Sequence, residues 1–191
     1  MIPRLVVASK NTDKITEIEE VLEGLGFVDE IVRDLDWDDV EETGSTLHEN
    51  ALLKARSVVE ATGLPVIADD TGLEVDALGG RPGVHTARFA GPDASYEDNV
   101  RLMLDTLDGV SDRGARFRTV VALAFPDGVE ITAEGSLEGR ITGERRGDRG
   151  FGYDPVFEVE GRTLAEMSAK EKNEFSHRAR ALRALAESLG V

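Results

Sequence analysis

The sequence predicts an α/β domain, and three features carry that prediction. A short apolar run from Arg4 to Ala8 passes through the polar turn Ser9, Lys10, Asn11 and Thr12 into a helical pattern. A second helical pattern is stopped by Gly63 and Pro65 and delivers the chain to another apolar run, Val66 to Ala68. Between Ala115 and Thr142 the period changes from helical to alternating. The length, 191 residues, suits one domain of above-average size or one domain with two lobes. Charged residues make up 31% and apolar ones 40%, as in a soluble globular chain. Lys and Arg number 22 against 38 Asp and Glu, and the net charge of −16 excludes a surface-wide nucleic-acid platform. An anionic partner must therefore meet a local basic pocket. Without cysteine there are no disulfides and no thiolate zinc sites. No run is long enough to span a membrane or to serve as a signal peptide, so a cytoplasmic protein with no membrane partner is expected.

The first helix runs to about Leu25, with Ile15, Ile18, Leu22 and Leu25 on one face. A strand, turn and helix in that order point backbone amides and the positive end of the helix dipole at whatever lies above the strand, which favours an anion. Lys14 in the first turn opposes the dipole unless an anion partners it; the alternative is a solvated surface lysine. Phe27 to Val32 reads as a second strand. Asp34, Asp36, Asp38, Asp39, Glu41 and Glu42 then crowd into nine positions; most read as a solvated loop, and one or two could complete a metal site. Thr46 and Glu49 have capping-box spacing and open the helix to about Thr62, with Lys54 in its middle.

After Val66, Ile67 and Ala68, read as the end of a buried strand, come Asp69 and Asp70. Adjacent aspartates repel, and a strand end at the mouth of a sheet is where α/β proteins place ligands. A divalent cation is the natural partner, and carboxylate oxygens suit Mg²⁺. The loop with Gly79, Gly80, Pro82 and Gly83 lets backbone amides approach an anion, flanked by Arg81 and Arg88. The alternative for this stretch is an acidic turn and a glycine-rich hairpin without chemistry.

Ser95 and Asp98 cap a third helix bearing Val100, Met103, Leu104 and Leu107. Phe117, Thr119, Val121, Leu123 and Phe125 share one face of a long hairpin that turns at Pro126, Asp127 and Gly128. The loop from Thr142 to Tyr153 carries Arg145, Arg146 and Arg149 and ends in Phe151, Gly152, Tyr153 and Asp154. Rings beside glycine leave a face open for a base to stack on, and a carboxylate can accept from a ring nitrogen; the alternative is two aromatics opening a strand. Ser168 and Glu171 cap a last helix with Lys172, His177 and Arg178 on its polar side and Ala181, Leu182, Leu185 and Leu189 inward. With only His48, His85 and His177, in unrelated contexts, a histidine-based triad is disfavoured.

The segments SKNTDKITEIEEVL, EETGSTLHENALLKA, IADDTGLEVDALGGRPGVHTARFAG, GFGYDPVF and AEMSAKEKNEFSHRARAL stand in this order over nearly the whole chain. Together they resemble the inosine triphosphate pyrophosphatases, also called XTP/dITP diphosphatases. The resemblance implies an elongated, two-lobed α/β fold with a central mixed sheet flanked by helices, a cleft between the lobes, and usually a homodimer. It also implies Mg²⁺-dependent hydrolysis of non-canonical purine nucleoside triphosphates to the monophosphate and pyrophosphate, which cleanses the nucleotide pool.

Carried over by position, Ser9, Lys10, Asn11, Thr12, Asp13 and Lys14 would hold the triphosphate, helped by Lys54. Glu41, or Glu42 in its place, and Asp70 would bind the metal, with Asp70 also the base on the attacking water. Thr71 would touch substrate, and Phe151, Gly152, Tyr153, Asp154, Lys172, His177 and Arg178 would line the base and sugar pocket. Lys10 replaces a common glycine, Thr71 and Thr86 replace serines, and His85 replaces the usual tyrosine. The rivals are a pyrophosphatase of similar fold acting on modified pyrimidine or canonical nucleotides, and a non-catalytic nucleotide- or RNA-binding module. The base-pocket motifs disfavour the first, and the net charge disfavours RNA.

Overall fold

A computed structural model describes residues 1–191. Its strands are β1 (Leu5–Val7), β2 (Ile31–Val32), β3 (Val66–Val75), β4 (Pro82–Gly83), β5 (Gly114–Ala124), β6 (Glu130–Ile141), β7 (Phe157–Val159) and β8 (Arg162–Thr163). The helices are α1 (Thr12–Leu25), α2 (Leu47–Thr62), α3 (Tyr96–Thr106), α4 (Ala169–Phe175) and α5 (His177–Leu189). The strands form one mixed sheet in the order β2-β1-β3-β5-β6-β7-β8, with β4 paired to β3. Helices flank it. The strand β1 runs parallel to β2 and β3, in the register Val6↔Val66 and Val7↔Ile67. The pairs β3/β4, β6/β7 and β7/β8 are antiparallel. Parallel neighbours require crossovers, and α1 and α2 supply them.

The helix starts follow the sequence signals. Asn11 caps α1, Thr46 and Glu49 form the capping box of α2, and Ser95 and Asp98 form that of α3. Gly26 and Gly63 end α1 and α2 in the left-handed conformation.

Four expectations change. The predicted strand from Phe27 shrinks to Ile31–Val32; Phe27 is buried in the core, and Val28 makes only an isolated bridge to Ile2. The strand expected to end at Ala68 continues to Val75, so the two aspartates lie inside β3 rather than at its end. The single C-terminal helix is two, broken at Ser176, whose side chain accepts from the Ala179 amide and restarts the chain as α5. Finally, β5 is buried on both faces from Thr119 to Ala124, because it lies between β3 and β6 inside the sheet.

The chain divides into two compact units. The first comprises 1–70, 119–135 and 176–191. Its core joins Leu5, Val7 and Ile67 of the sheet to Ile18 and Leu22 of α1 and to Leu182 and Leu185 of α5. The second comprises 71–118 and 136–175, and its core gathers Leu73, Val100, Met103, Phe117, Leu137, Tyr153 and Phe157.

Candidate active site

Neighbouring residues of a strand point to opposite faces, and this separates the two aspartates of β3. Asp69 shares the face of Ile67, towards α1 and α5. There its Oδ2 accepts from Nε and a terminal nitrogen of Arg178 at 3.2 and 3.1 Å and lies 3.3 Å from Lys14 Nζ. Another terminal nitrogen of Arg178 donates to Glu17. Burial alone would raise the Asp69 pKa, but Lys14, Arg178 and Lys54 outweigh it and hold the carboxyl well below its ordinary value. For Lys14 burial wins and lowers its pKa, against the pull of Asp69. Arg178, with a side chain only 2% exposed, keeps its charge because Asp69 and Glu17 more than offset its desolvation. Lys14 is therefore no solvated surface lysine: its partner is a buried carboxylate, and the arrangement is a four-member ion cluster joining α1, β3 and α5.

Asp70 faces α2. Its Oδ1 accepts from Lys54 Nζ at 3.0 Å and its Oδ2 from Asn50 Nδ2 at 3.3 Å. The same ammonium donates to Glu42 at 2.7 Å. Burial is the main cause that raises the Asp70 pKa, Lys54 opposes it, and the nearby Glu42 adds to it. Glu42, not Glu41, thus stands with Asp70, while Glu41 is exposed. The reason is the docking of the acidic loop: Asn50 Oδ1 accepts from the Gly44 amide at 2.8 Å, and a Cβ on Gly44 would meet that oxygen at 2.5 Å. With Gly44 pinned there, Glu42 is the carboxylate turned towards Lys54. Two carboxylates sharing one positive centre fit Mg²⁺, with Lys54 Nζ standing in for a cation. No third Asp, Glu or His joins them. Water and phosphate oxygens would complete the coordination, as that ion prefers.

The turn Ser9–Lys14 follows β1 directly. Ser9 Oγ accepts from the Asn11 amide at 3.2 Å, and Asn11 Oδ1 accepts from Asp13 and Lys14 amides at 3.0 and 3.3 Å. The cap thus occupies two of the first helical amides. Thr12 and Asp13 are exposed, and Lys10 reaches Asp39 at 2.5 Å. His177 opens α5 with its Nδ1 2.6 Å from Thr119 Oγ1, and both are buried. Gly135 allows this: a Cβ there would lie 2.2 Å from the His177 carbonyl oxygen and 2.4 Å from the Ala181 nitrogen.

The second unit holds the other group. Asp154 is buried, and its Oδ2 accepts from Lys172 Nζ at 2.6 Å and from the Phe151 amide at 2.9 Å. Lys172 Nζ also lies 4.8 Å from the centre of the Phe151 ring, a cation–π distance. Phe151 is half-buried, whereas the Tyr153 ring belongs to the core and its hydroxyl donates to the Thr86 carbonyl at 3.1 Å. Burial pushes that phenol far above its ordinary value. Gly152 takes a left-handed backbone between the two rings, and Thr71 is the half-buried residue after Asp70. Lys172, His177 and Arg178, expected on a polar helix face, are all buried, each against its own partner.

Asn50, Glu17 and Thr119 join these clusters without having been singled out for them, while Asp69, read with Asp70 as a cation-binding pair, joins Arg178 and Lys14 instead. Asn50 stands beside Ala51 on the buried side of α2, and Glu17 lies one turn beyond Lys14, so both carried a signal. Thr119 carried none, since its partner lies 58 residues away.

A Ham1 family profile matches residues 5–188. A dITP/XTP pyrophosphatase of Bacillus licheniformis is 46% identical over 190 residues, covering 97% of each chain. One of Symbiobacterium thermophilum is 50% identical, covering 97% of this chain and 94% of that protein. The solved HAM1 protein of Coxiella burnetii superposes with a TM-score of 0.84 at 39% identity over 99% of both chains. Match and coverage extend over nearly the full length, and the chain belongs to the Ham1 family.

Proposed function

We propose that this enzyme hydrolyses dITP, ITP and XTP to the nucleoside monophosphate and pyrophosphate with Mg²⁺ as cofactor. The observation that carries the reading is Asp70: a buried carboxylate between Lys54 and Asn50, with Glu42 on the same ammonium. The names of the relatives agree with it. Asp70 and Glu42 would hold the metal, which supplies charge neutralisation on the phosphate oxygens and a more acidic water. Asp70 takes the proton of the water that attacks the α-phosphorus. The bond from that phosphorus to the bridging oxygen breaks, and pyrophosphate leaves with the electron pair. Lys14, Lys54 and the turn Ser9–Asp13 neutralise and orient the triphosphate.

Base choice in this reading rests on the 6-oxo group and N1–H, an acceptor beside a donor. Lys172 donates and Asp154 accepts, matching that pair, whereas adenine presents the reverse and would leave polar groups unpaired at about 1–3 kcal/mol each. Arg178, with three nitrogens on Asp69 and Glu17, serves the cation cluster and reaches substrate through it. Pyrophosphate release from dITP, ITP, XTP, dUTP, ATP and GTP, with and without Mg²⁺, tests the proposal. Turnover of dITP, ITP and XTP well above that of ATP and loss of turnover in chelator are expected; GTP carries the same 6-oxo and N1–H pair and measures any selection at the 2-amino group. Equal turnover of dUTP would favour a pyrimidine-directed enzyme, and undiminished activity in chelator would remove the metal.

A further inference from the structure

Phe151 is the ring that the family resemblance sets in the base pocket, and its amide is held by Asp154 Oδ2 at 2.9 Å. Bonds from the Arg146 amide to the Pro155 carbonyl and from the Arg149 amide to the Ala165 carbonyl anchor the loop 143–152, in which Gly147, Gly150 and Gly152 take left-handed backbones. The Phe151 ring itself also meets the first turn of α3. The Tyr96 ring lies 5.9 Å from the Phe151 ring, tilted by 40°, within the range of favourable aromatic pairs. One residue on, Glu97 pairs with Arg145 at 2.6 Å near the other end of the loop. The turn itself is firmly placed. Ser95 and Asp98 cap it reciprocally, and Asn99 bonds the Ala87 carbonyl at 2.9 Å and the Ala90 amide at 2.8 Å. Tyr96 remains 43% exposed, more than a core residue of that size would be.

We propose that Tyr96 is a positioning residue for base recognition: its ring and the Lys172 ammonium hold the Phe151 ring in the pose that receives the purine. Glu97 pairs with Arg145 near the far end of the same loop, an exposed pair that contributes little. Neither residue lies in the segments that carry the family resemblance. The inference rests on Phe151 meeting the base, and the experiment separates the two ideas.

KM and kcat for dITP are measured for Phe151→Ala, Tyr96→Ala, Tyr96→Phe and the double variant Tyr96→Ala/Phe151→Ala, with thermal melts as controls. Phe151→Ala raises KM. Tyr96→Ala raises KM about 2- to 12-fold, the range of one aromatic pair, with kcat and the melting temperature nearly unchanged. Tyr96→Phe restores the KM, because the ring and not the hydroxyl acts. In the double variant the Tyr96 change adds nothing, since the group it positions is gone. Additive effects, a loss confined to kcat, or a normal KM in Tyr96→Ala while Phe151→Ala is impaired would overturn the positioning role alone. A normal KM in Phe151→Ala would overturn the base-site reading beneath it.

Discussion

Replacing Asp70 with asparagine preserves its shape and its bond geometry to Asn50 while removing the charge that Lys54 faces. Turnover should fall at least ~100-fold, a typical general-base contribution, with the fold intact by circular dichroism. Wild-type turnover in this variant at ordinary Mg²⁺ would remove Asp70 from the chemistry. Asp69 and Arg178 differ in kind. Their charges are buried and mutual, so Arg178→Ala leaves Asp69 and Glu17 without their main partner and should cost about 3–5 kcal/mol of stability. Denaturant titration reads this directly. A variant that melts like wild type would show that Arg178 is dispensable to the cluster, and its contribution would then lie at the substrate.

At the scale of elements, the position of α5 decides where His177 and Arg178 stand. Gly135 on β6 is the contact that permits it. Gly135→Ala forces a methyl group against the backbone of α5, and overpacking of this kind costs about 1–3 kcal/mol. The expected result is a lower melting temperature together with a raised KM, because the helix carries Arg178 and, through Asp69, bears on Lys14. Stability and KM unchanged together would contradict the packing. The start of α2 offers a milder test, since this helix brings Lys54 and Asn50 to Asp70. Thr46→Ala removes one half of the capping box and should cost about 1 kcal/mol without altering the base preference. A shift in the dITP to ATP ratio would be unexpected.

For the whole molecule the governing quantity is the net charge of −16. Many of the ion pairs outside the buried clusters are exposed, as Arg4–Glu30 and Arg162–Glu171 are, and each contributes little. Self-repulsion of the excess carboxylates is the larger exposed electrostatic effect, and salt screens it. The melting temperature should therefore rise as NaCl is raised from low concentration to about 0.15 M, where the screening length is already ~8 Å. A steady fall would mean that the surface pairs matter more than the repulsion.

What the sequence determined by itself is local or repetitive. Capping pairs such as Thr46 with Glu49, the apolar stripe of α1 and the alternation at the start of β5 act over a few residues, so they were legible without any fold. The ordered motifs likewise identified the family, because several of them stood in register. The tertiary structure decided what distant partners decide. Asp69 and Asp70 read as one chelating pair at a strand end; inside β3 the pleat turns them to opposite faces, one to a cation cluster and one to Lys54. Glu42 rather than Glu41 stands by Asp70 because Asn50 docks Gly44, a choice that no spacing in an acidic run can make. Lys172, His177 and Arg178 read as the polar side of a helix, since polar character alone does not reveal a buried partner. Their partners Asp154, Thr119 and Asp69 are 18, 58 and 109 residues away, and only folding brings such polar groups together so that each is buried with a partner.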